Sequence, residues 1–414
     1  MKEVTFLHCA DLHLDRPFTG ANQLPTSILD FVRESAYRSL RAIVDLAIQK
    51  QVDFVLFAGD LFDSSYRSIK TQVVLLQELK RLDKAGIHSY LSHGNHDALD
   101  GEWATLTWPK SSYFFQEKVE AIPYKREGEV LAWIHGFSYP TRHVNEKRVN
   151  DYQRADERSF QIGMLHGNLE GQTDHSAYAP FTLSELIEKN FDYWALGHIH
   201  QRAELQDNPP IVYPGNIQGA HSKERGEKGC YFVKLSEAGP LIEFHQTSDV
   251  TWHRLSVDIG QCESIQHLLN ACEDVLNQES FSSGGHLINI EFVGRSTIHT
   301  DLLYGNQLED LLQTLQLHRD MEENGFVWPY KLSLHSLPSW NRESLKQQSG
   351  FLQDILLISD DYKQNNLKEA LAPLYEHRRA RKALHPIEDE GQLIKEAEEL
   401  LLTYLIESKG GGGS

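Results

Sequence analysis

The sequence predicts an α/β protein with a smaller second domain and a helical tail. Three observations carry that expectation. Strand-like and helix-like apolar patterns alternate over about the first 245 residues. The strand-like runs end in glycine beside Asp, Asn or His, which places polar loops at one edge of a sheet. The chain has 414 residues, more than a single domain of ~150 usually holds.

In chain order, residues 4–10 form a short apolar run that reads as the first strand. Residues 35–48 carry Leu40, Ile43, Val44 and Ala47 at helical spacing, and 52–58 is again strand-like. A helix is expected over 71–82 and a strand over 87–91. Later strands fall at 130–136, 161–165, 193–196 and 211–213, with a helix over 183–188 before the third of these. Alternating βα units of this kind build an α/β sheet. From Asp249 the order becomes strand 252–259, helix 264–276, strand 287–293, helix 308–317 and strand 326–334. That is enough for a compact second domain. The expected boundaries are 1–248 for the first domain, 249–338 for the second, and 339–409 for a polar, mostly helical tail. Residues 410–414, GGGGS, read as an engineered linker.

Composition narrows the function. Apolar residues make up 40% and charged residues 24%, ordinary globular usage that argues against a disordered chain. No window of ~18 apolar residues offers a membrane span, and no basic-then-apolar leader opens the chain. Cys9, Cys230, Cys262 and Cys272 lack CxxC spacing, so buried small hydrophobes in a reducing cytoplasm are expected. The net charge of −19 argues against a nucleic-acid coat protein. It does not exclude a nuclease, because clustered carboxylates are neutralised by the metals they hold.

The chemistry lies at the strand ends. In order they give Asp11-Leu12-His13, Gly59-Asp60-Leu61-Phe62-Asp63, Gly94-Asn95-His96-Asp97, His166-Gly167-Asn168 and Gly197-His198-Ile199-His200. Residues at i and i+2 of an extended chain share a face, so Asp11 with His13, and His198 with His200, can converge. Carboxylate, imidazole and amide oxygen without thiolate favour Mn, Fe, Zn or similar ions over calcium. Seven ligands exceed what one ion takes and suit two ions ~3.5–4 Å apart bridged by a carboxylate. An isolated Asp-x-His is ordinary; five such groups in this order are not.

The pattern D-x-H, G-D, G-N-H-D, H, G-H-x-H resembles that of the calcineurin-like metallophosphoesterases. Within them the chain is most similar to the bacterial DNA-repair exonucleases of the SbcD type, above all their YhaO-type branch. The stretch His8-Cys9-Ala10-Asp11-Leu12-His13-Leu14-Asp15-Arg16-Pro17-Phe18 carries this likeness, with Tyr213-Pro214-Gly215-Asn216. The resemblance implies an α/β/β/α sandwich, a capping domain and the helical tail. It implies that Asp11, His13, Asp60 and His200 hold one ion, and that Asp60, Asn95, His166 and His198 hold the other. It makes His96 the catalytic histidine that protonates the leaving oxygen, with Asp97 placed to orient it. Asp63 stands where such nucleases often carry a second histidine. The implied cofactors are two Mn²⁺, and the implied partners are DNA, a coiled-coil ATPase of the SbcC type and a second copy of the chain.

Other residues invite plainer readings. His8 is expected to pack within the first strand, and His93, His135, His143, His175 and His221 match no motif. The basic cluster His377, Arg378, Arg379, Arg381 and Lys382 suits DNA, a partner or a solvated helix face alike. Leu393, Ile394, Ala397, Leu400, Leu401, Tyr404 and Leu405 form an apolar stripe that suits either its own core or another chain. Two rival functions remain beside the nuclease. One is a phosphatase or small-molecule phosphodiesterase with the same metals, and the other an interaction module with a vestigial site. The complete ligand set argues against the second.

Overall fold

The computed structural model describes residues 2–20, 24–63, 68–101, 104–171, 178–304, 306–317, 319–323, 325–348, 350–362, 371–373, 376–377 and 390–410. The chain divides into two compact units. The first comprises Met1–His253, Phe281–Ile288 and Arg319–Tyr330; the second comprises Arg254–Ser280, Asn289–His318 and Lys331–Ser414.

Among the described residues the first unit is built on β1 (Glu3–Cys9) and β2 (Phe54–Ala58), paired in parallel with Phe6 opposite Phe54. Successive side chains of a strand point to opposite faces, and here both faces are apolar. Val4, Phe6, Phe54, Leu56 and Ala58 enter one core, and Leu7, Cys9, Val55 and Phe57 enter another. A sheet buried on both faces demands the continuous apolar runs seen in the sequence.

The first sheet adds β3 (His88–Ser92), β4 (Ser112–Phe114), β11 (Gly229–Ser236) and β12 (Gly239–Gln246), in the order β12-β11-β1-β2-β3-β4. The second sheet contains β5 (Glu120–Arg126), β6 (Glu129–Gly136), β7 (Phe160–His166), β8 (Tyr193–Gly197), β9 (Ala203–Asp207) and β10 (Pro210–Tyr213). Its order is β5-β6-β7-β8-β10-β9. Between the sheets lie Ala132, Ile134, Ile162, Met164, Tyr193 and Ala195 with the inner residues of β1 and β2.

Helices close both outer faces. After α1 (Thr26–Arg33), α2 (Ser35–Lys50) and α3 (Ile69–Lys84) lay Leu40, Ile43, Val44, Leu75, Leu79 and Leu82 on the first sheet. The second sheet is covered by α4 (Leu183–Glu188) through Leu186, with Tyr152 and Phe191. A capping box starts α4: Thr182 Oγ1 accepts from the Glu185 N–H, and Glu185 Oε2 accepts from the Thr182 N–H. The result is the expected α/β/β/α sandwich. The parallel strands β1, β2 and β3, and β7 and β8, all end at the same edge of the sandwich as the ligand motifs.

Past β13 (Val250–Asp258), β14 (Gly284–Val293) pairs within the order β13-β14-β16, where β16 is Gly325–Leu334. A short parallel pair joins β15 (Arg295–Ser296) to β17 (Leu337–Pro338). The second unit adds α5 (Ile265–Gln278), α6 (His299–Tyr304), α7 (Gln307–Gln316), α8 (Arg342–Gln347), α9 (Phe351–Asp361) and a C-terminal helix, Glu390–Gly410. The expected apolar stripe divides in this last helix. Ile394 and Leu402 are buried, while Leu401 and Tyr404 are exposed. Glu398 shares the buried face because Arg342 meets it with two bonds, Nε to Oε1 at 2.6 Å and Nη2 to Oε2 at 3.0 Å. The basic residues Arg378, Arg379, Arg381 and Lys382 lie outside the described residues. No helix among the described residues is long and apolar enough to cross a membrane.

Phe54 is fully buried between the sheets and stacks on Phe6 at 5.0 Å. Phe54→Ala should destabilise the chain by about 3–5 kcal/mol, read as a shift in the urea unfolding midpoint. A loss below about 1 kcal/mol would mean that the inter-sheet core is not the main source of stability.

Candidate metal centre

The loops leaving β1 and β2 are knitted together by main-chain bonds. Asp11 N–H donates to Gly59 C=O at 3.1 Å, and His13 N–H to Asp60 C=O at 3.0 Å. The turns are sharp enough to force positive φ on side-chain-bearing residues: 51° at Asp11, 40° at His13, 49° at Asp60 and 97° at His198. Such conformations cost on the order of 1–3 kcal/mol each and persist where the surroundings enforce them. Gly94 is required for a different reason. A Cβ there would stand 2.3 Å from Asp60 Oδ1.

All seven expected ligands come together at this edge. His166 Nε2 lies 3.4 Å from Asp60 Oδ2 and 3.1 Å from Asn95 Oδ1, and His198 Nδ1 lies 3.1 Å from the same amide oxygen. His13 Nε2 is 3.5 Å from Asp60 Oδ2. Asp11 accepts the His198 N–H on both carboxylate oxygens, at 3.0 and 3.1 Å. Asp11, His13 and His200 place ligand atoms within 4.8 Å of one another, as do Asp11, Asp60 and His166. The two overlapping sets share Asp11, and Asp60 reaches towards imidazoles of both.

The imidazoles are held with one nitrogen facing the centre. His166 Nδ1–H donates to Ala58 C=O at 3.0 Å, which turns Nε2 towards the centre. His200 Nδ1–H donates to Glu224 Oε1 at 2.6 Å. His200 Nε2 then faces His13 Nε2 at 3.1 Å. His13 Nδ1 is buried without a hydrogen-bond partner, so the pair holds either a shared proton or a cation between the two Nε2 atoms. The donor set is nitrogen and oxygen throughout, which fits Mn, Fe or Zn. On both grounds the residues fit a divalent-metal pair.

The charges of the centre depend on one another. Burial opposes the charge of Asp60, yet His166, His13 and His96 hold its carboxyl well below the usual carboxylate range. Burial likewise opposes a charged His166, but Asp60 and Asp11 overcome it and push this imidazole up to about 9. Burial raises Asp11. It also lowers His13 to about 3. A proton on His166 thus supplies part of the positive charge that the carboxylates require.

The carboxylate beside His96 differs from the one the sequence suggested. Asp97 points away: its oxygens accept the N–H groups of Gly94 at 2.6 Å and Leu61 at 2.8 Å, and His93 Nδ1 stands 3.3 Å off. The expectation that Asp97 orients His96 is therefore corrected. The partner of His96 is Asp63, with Oδ2 3.4 Å from Nδ1, and this contact is the main cause that raises the His96 pKa. Asp97 fastens the turn that carries Asn95 and His96. Adjacent residues diverge, whereas Asp63 arrives from another strand end, which sequence adjacency does not reveal.

His96 opens on a cavity of about 550 Å³ that Asp60, Asn95, His198 and His200 also line. Arg142 and Lys223 are exposed at this cavity, and Tyr178 and Glu224 also line it. None of these four belongs to a sequence motif. Four of the other histidines bond or stack within the fold. His8 is buried between the sheets, bonded to Tyr193 Oη at 2.9 Å and Leu196 C=O at 3.1 Å, and burial lowers it to about 3. His135 bonds to Gln161, His143 stacks on Tyr178, and His221 accepts the Lys223 N–H. His175 lies outside the described residues.

An α/β/β/α sandwich with this ligand set at its strand ends defines a metal-dependent phosphoesterase. Residues 4–202 match the family model described as calcineurin-like phosphoesterase, and residues 252–336 match that of the metallophosphoesterase YhaO middle domain. A Bacillus subtilis protein named "Uncharacterized metallophosphoesterase YhaO" is 37% identical over 381 residues, covering 91% of each chain. The "DNA double-strand break repair protein Mre11" of Sulfurisphaera tokodaii is 28% identical over 259 residues, 59% of this chain and 62% of that one. A protein of the same name from Sulfolobus acidocaldarius is 24% identical over 368 residues, 84% and 88% of the two chains. The chain belongs to the calcineurin-like metallophosphoesterases, and within them to the YhaO-type branch.

The charge balance sets a pH dependence. Were His166 to hold a metal ion it would have to be neutral, and Asp60 and Asp11 raise its pKa to about 9. Apparent Mn²⁺ affinity should therefore rise with pH, by about tenfold per unit for one proton released, and level off above about pH 9. Calorimetry at pH 7 in buffers of different protonation enthalpy should register that release. Binding without proton release would show that His166 is neutral before metal arrives.

Proposed function

We propose that this chain is a DNA nuclease that hydrolyses phosphodiester bonds with two Mn²⁺. In this reading Asp11, His13, Asp60 and His200 hold one ion, and Asp60, Asn95, His166 and His198 the other. The observation that carries it is the convergence of these seven side chains on one edge, with His96 beside them at an open, partly cationic cavity. Bound there, a metal pair neutralises a phosphodiester and lowers the pKa of water to generate a nucleophile. Arg142 and Lys223 attract the backbone phosphates. His96 supplies a proton to the leaving oxygen, and Asp63 keeps the ring charged and aimed.

DNA as substrate draws support from the relatives named for double-strand break repair. The net charge of −19 is reconciled if a coiled-coil ATPase of the SbcC type grips most of the DNA. The exposed apolar residues Leu401 and Tyr404 of the C-terminal helix, with Phe351 and Ile358 of α9, are the face offered to that partner. A homodimer and a reducing, cytoplasmic setting belong to the same reading, the latter supported by four free, buried cysteines.

With Mn²⁺, linear duplex DNA should be digested, and chelator should stop the digestion. His96→Ala should keep its metal and lose roughly 10²–10⁴-fold in turnover, as for a positioned acid. Asp60→Ala should lose metal, measured by mass spectrometry. Equal metal loss in both variants would make His96 a ligand. Hydrolysis of a phosphodiester dye with duplex DNA left intact would favour the small-molecule phosphodiesterase.

A further inference from the structure

We propose that Glu224 is a positioning residue for His200, and that Arg16 cancels its charge so that the cavity still admits a phosphate. The inference rests on the two-metal reading of the centre. Glu224 lies in a loop outside every ligand motif, yet only 12% of its side chain is exposed. Its Oε1 stands 2.6 Å from His200 Nδ1, which fixes the tautomer that presents Nε2 to the centre. A hydrogen-bond acceptor behind a metal-ligating imidazole sets the ring's orientation and tautomer.

The surroundings favour that role over two others. Glu224 Oε2 accepts the Ala220 N–H at 2.8 Å, so both oxygens are engaged within the fold and neither is aimed at an ion. A substrate-binding role is electrostatically wrong, because a lone carboxylate in this cavity would repel phosphate. Arg16 answers that problem, with Nη1 3.0 Å from Glu224 Oε1. Main-chain anchoring points the same way. The buried Lys228 donates from Nζ to His200 C=O at 2.6 Å, so ring and backbone of one residue are both held.

The test is Mn²⁺ binding by calorimetry on the full chain without nucleic acid, comparing wild type with Glu224→Gln, Glu224→Asp and Glu224→Ala. Gln keeps an oxygen for the His200 N–H and loses the charge; Asp keeps the charge and withdraws the oxygen. One of the two sites should weaken about 10–100-fold in the Asp and Ala variants and stay within about threefold in Gln. The other site should not change. Wild-type binding in all three variants would overturn the proposal. So would a Gln variant weaker than the Asp variant, which would mean that charge alone acts, or equal loss at both sites. If Ala fails to fold, the Gln and Asp pair still decides. Failure of wild type to bind two ions would strike the two-metal reading itself, a separate outcome.

Discussion

The buried carboxylate of Asp60 is the constraint on which the first unit depends. It sits at the end of a central strand, almost wholly excluded from water, with His13 at 3.5 Å and His166 at 3.4 Å. An isolated charge there would be strongly destabilising, so the fold must surround it with positive or donating groups. The close approach across Gly94, the positive φ at Asp60 and the tethering of His166 to Ala58 all follow from packing those groups around it. Two packed apolar sheets make this possible. Their parallel strands end together, so residues far apart in sequence reach one point without long, floppy loops.

Much of this was legible in the sequence. Central strands buried on both faces leave continuous apolar runs, and the ligand residues stand at their ends. The edge strands were not legible. β5 contains Pro123 and β12 begins beside Pro240, residues that weaken a strand reading. β4 has three residues, too few for any period. Strand β11 carries an apolar alternation, but only its antiparallel pairing with β1 reveals where it belongs.

The site divides the same way. Its seven candidate ligands follow motif order, whereas the residues that support them follow tertiary geometry. Asp63 rather than Asp97 faces His96 because a side chain next in sequence leaves in another direction. Glu224 and Lys228 reach His200 from a loop and a strand edge with no signature. In the C-terminal helix the apolar stripe suited its own core or another chain alike, and the face that is buried includes Glu398. Nothing in the helix announces this, since Arg342, which satisfies it, comes from α8.

In the proposed centre the Asp60 carboxylate would lie between the two ions. Crystals grown with Mn²⁺ and measured at the manganese absorption edge test it most directly. Two anomalous peaks about 3.5–4 Å apart, with the Asp60 carboxylate between them, are expected. His13, Asp63 and His96 also bring ligand atoms within 4.8 Å of one another. A single peak, or an ion among those three that Asp60 does not touch, would contradict it.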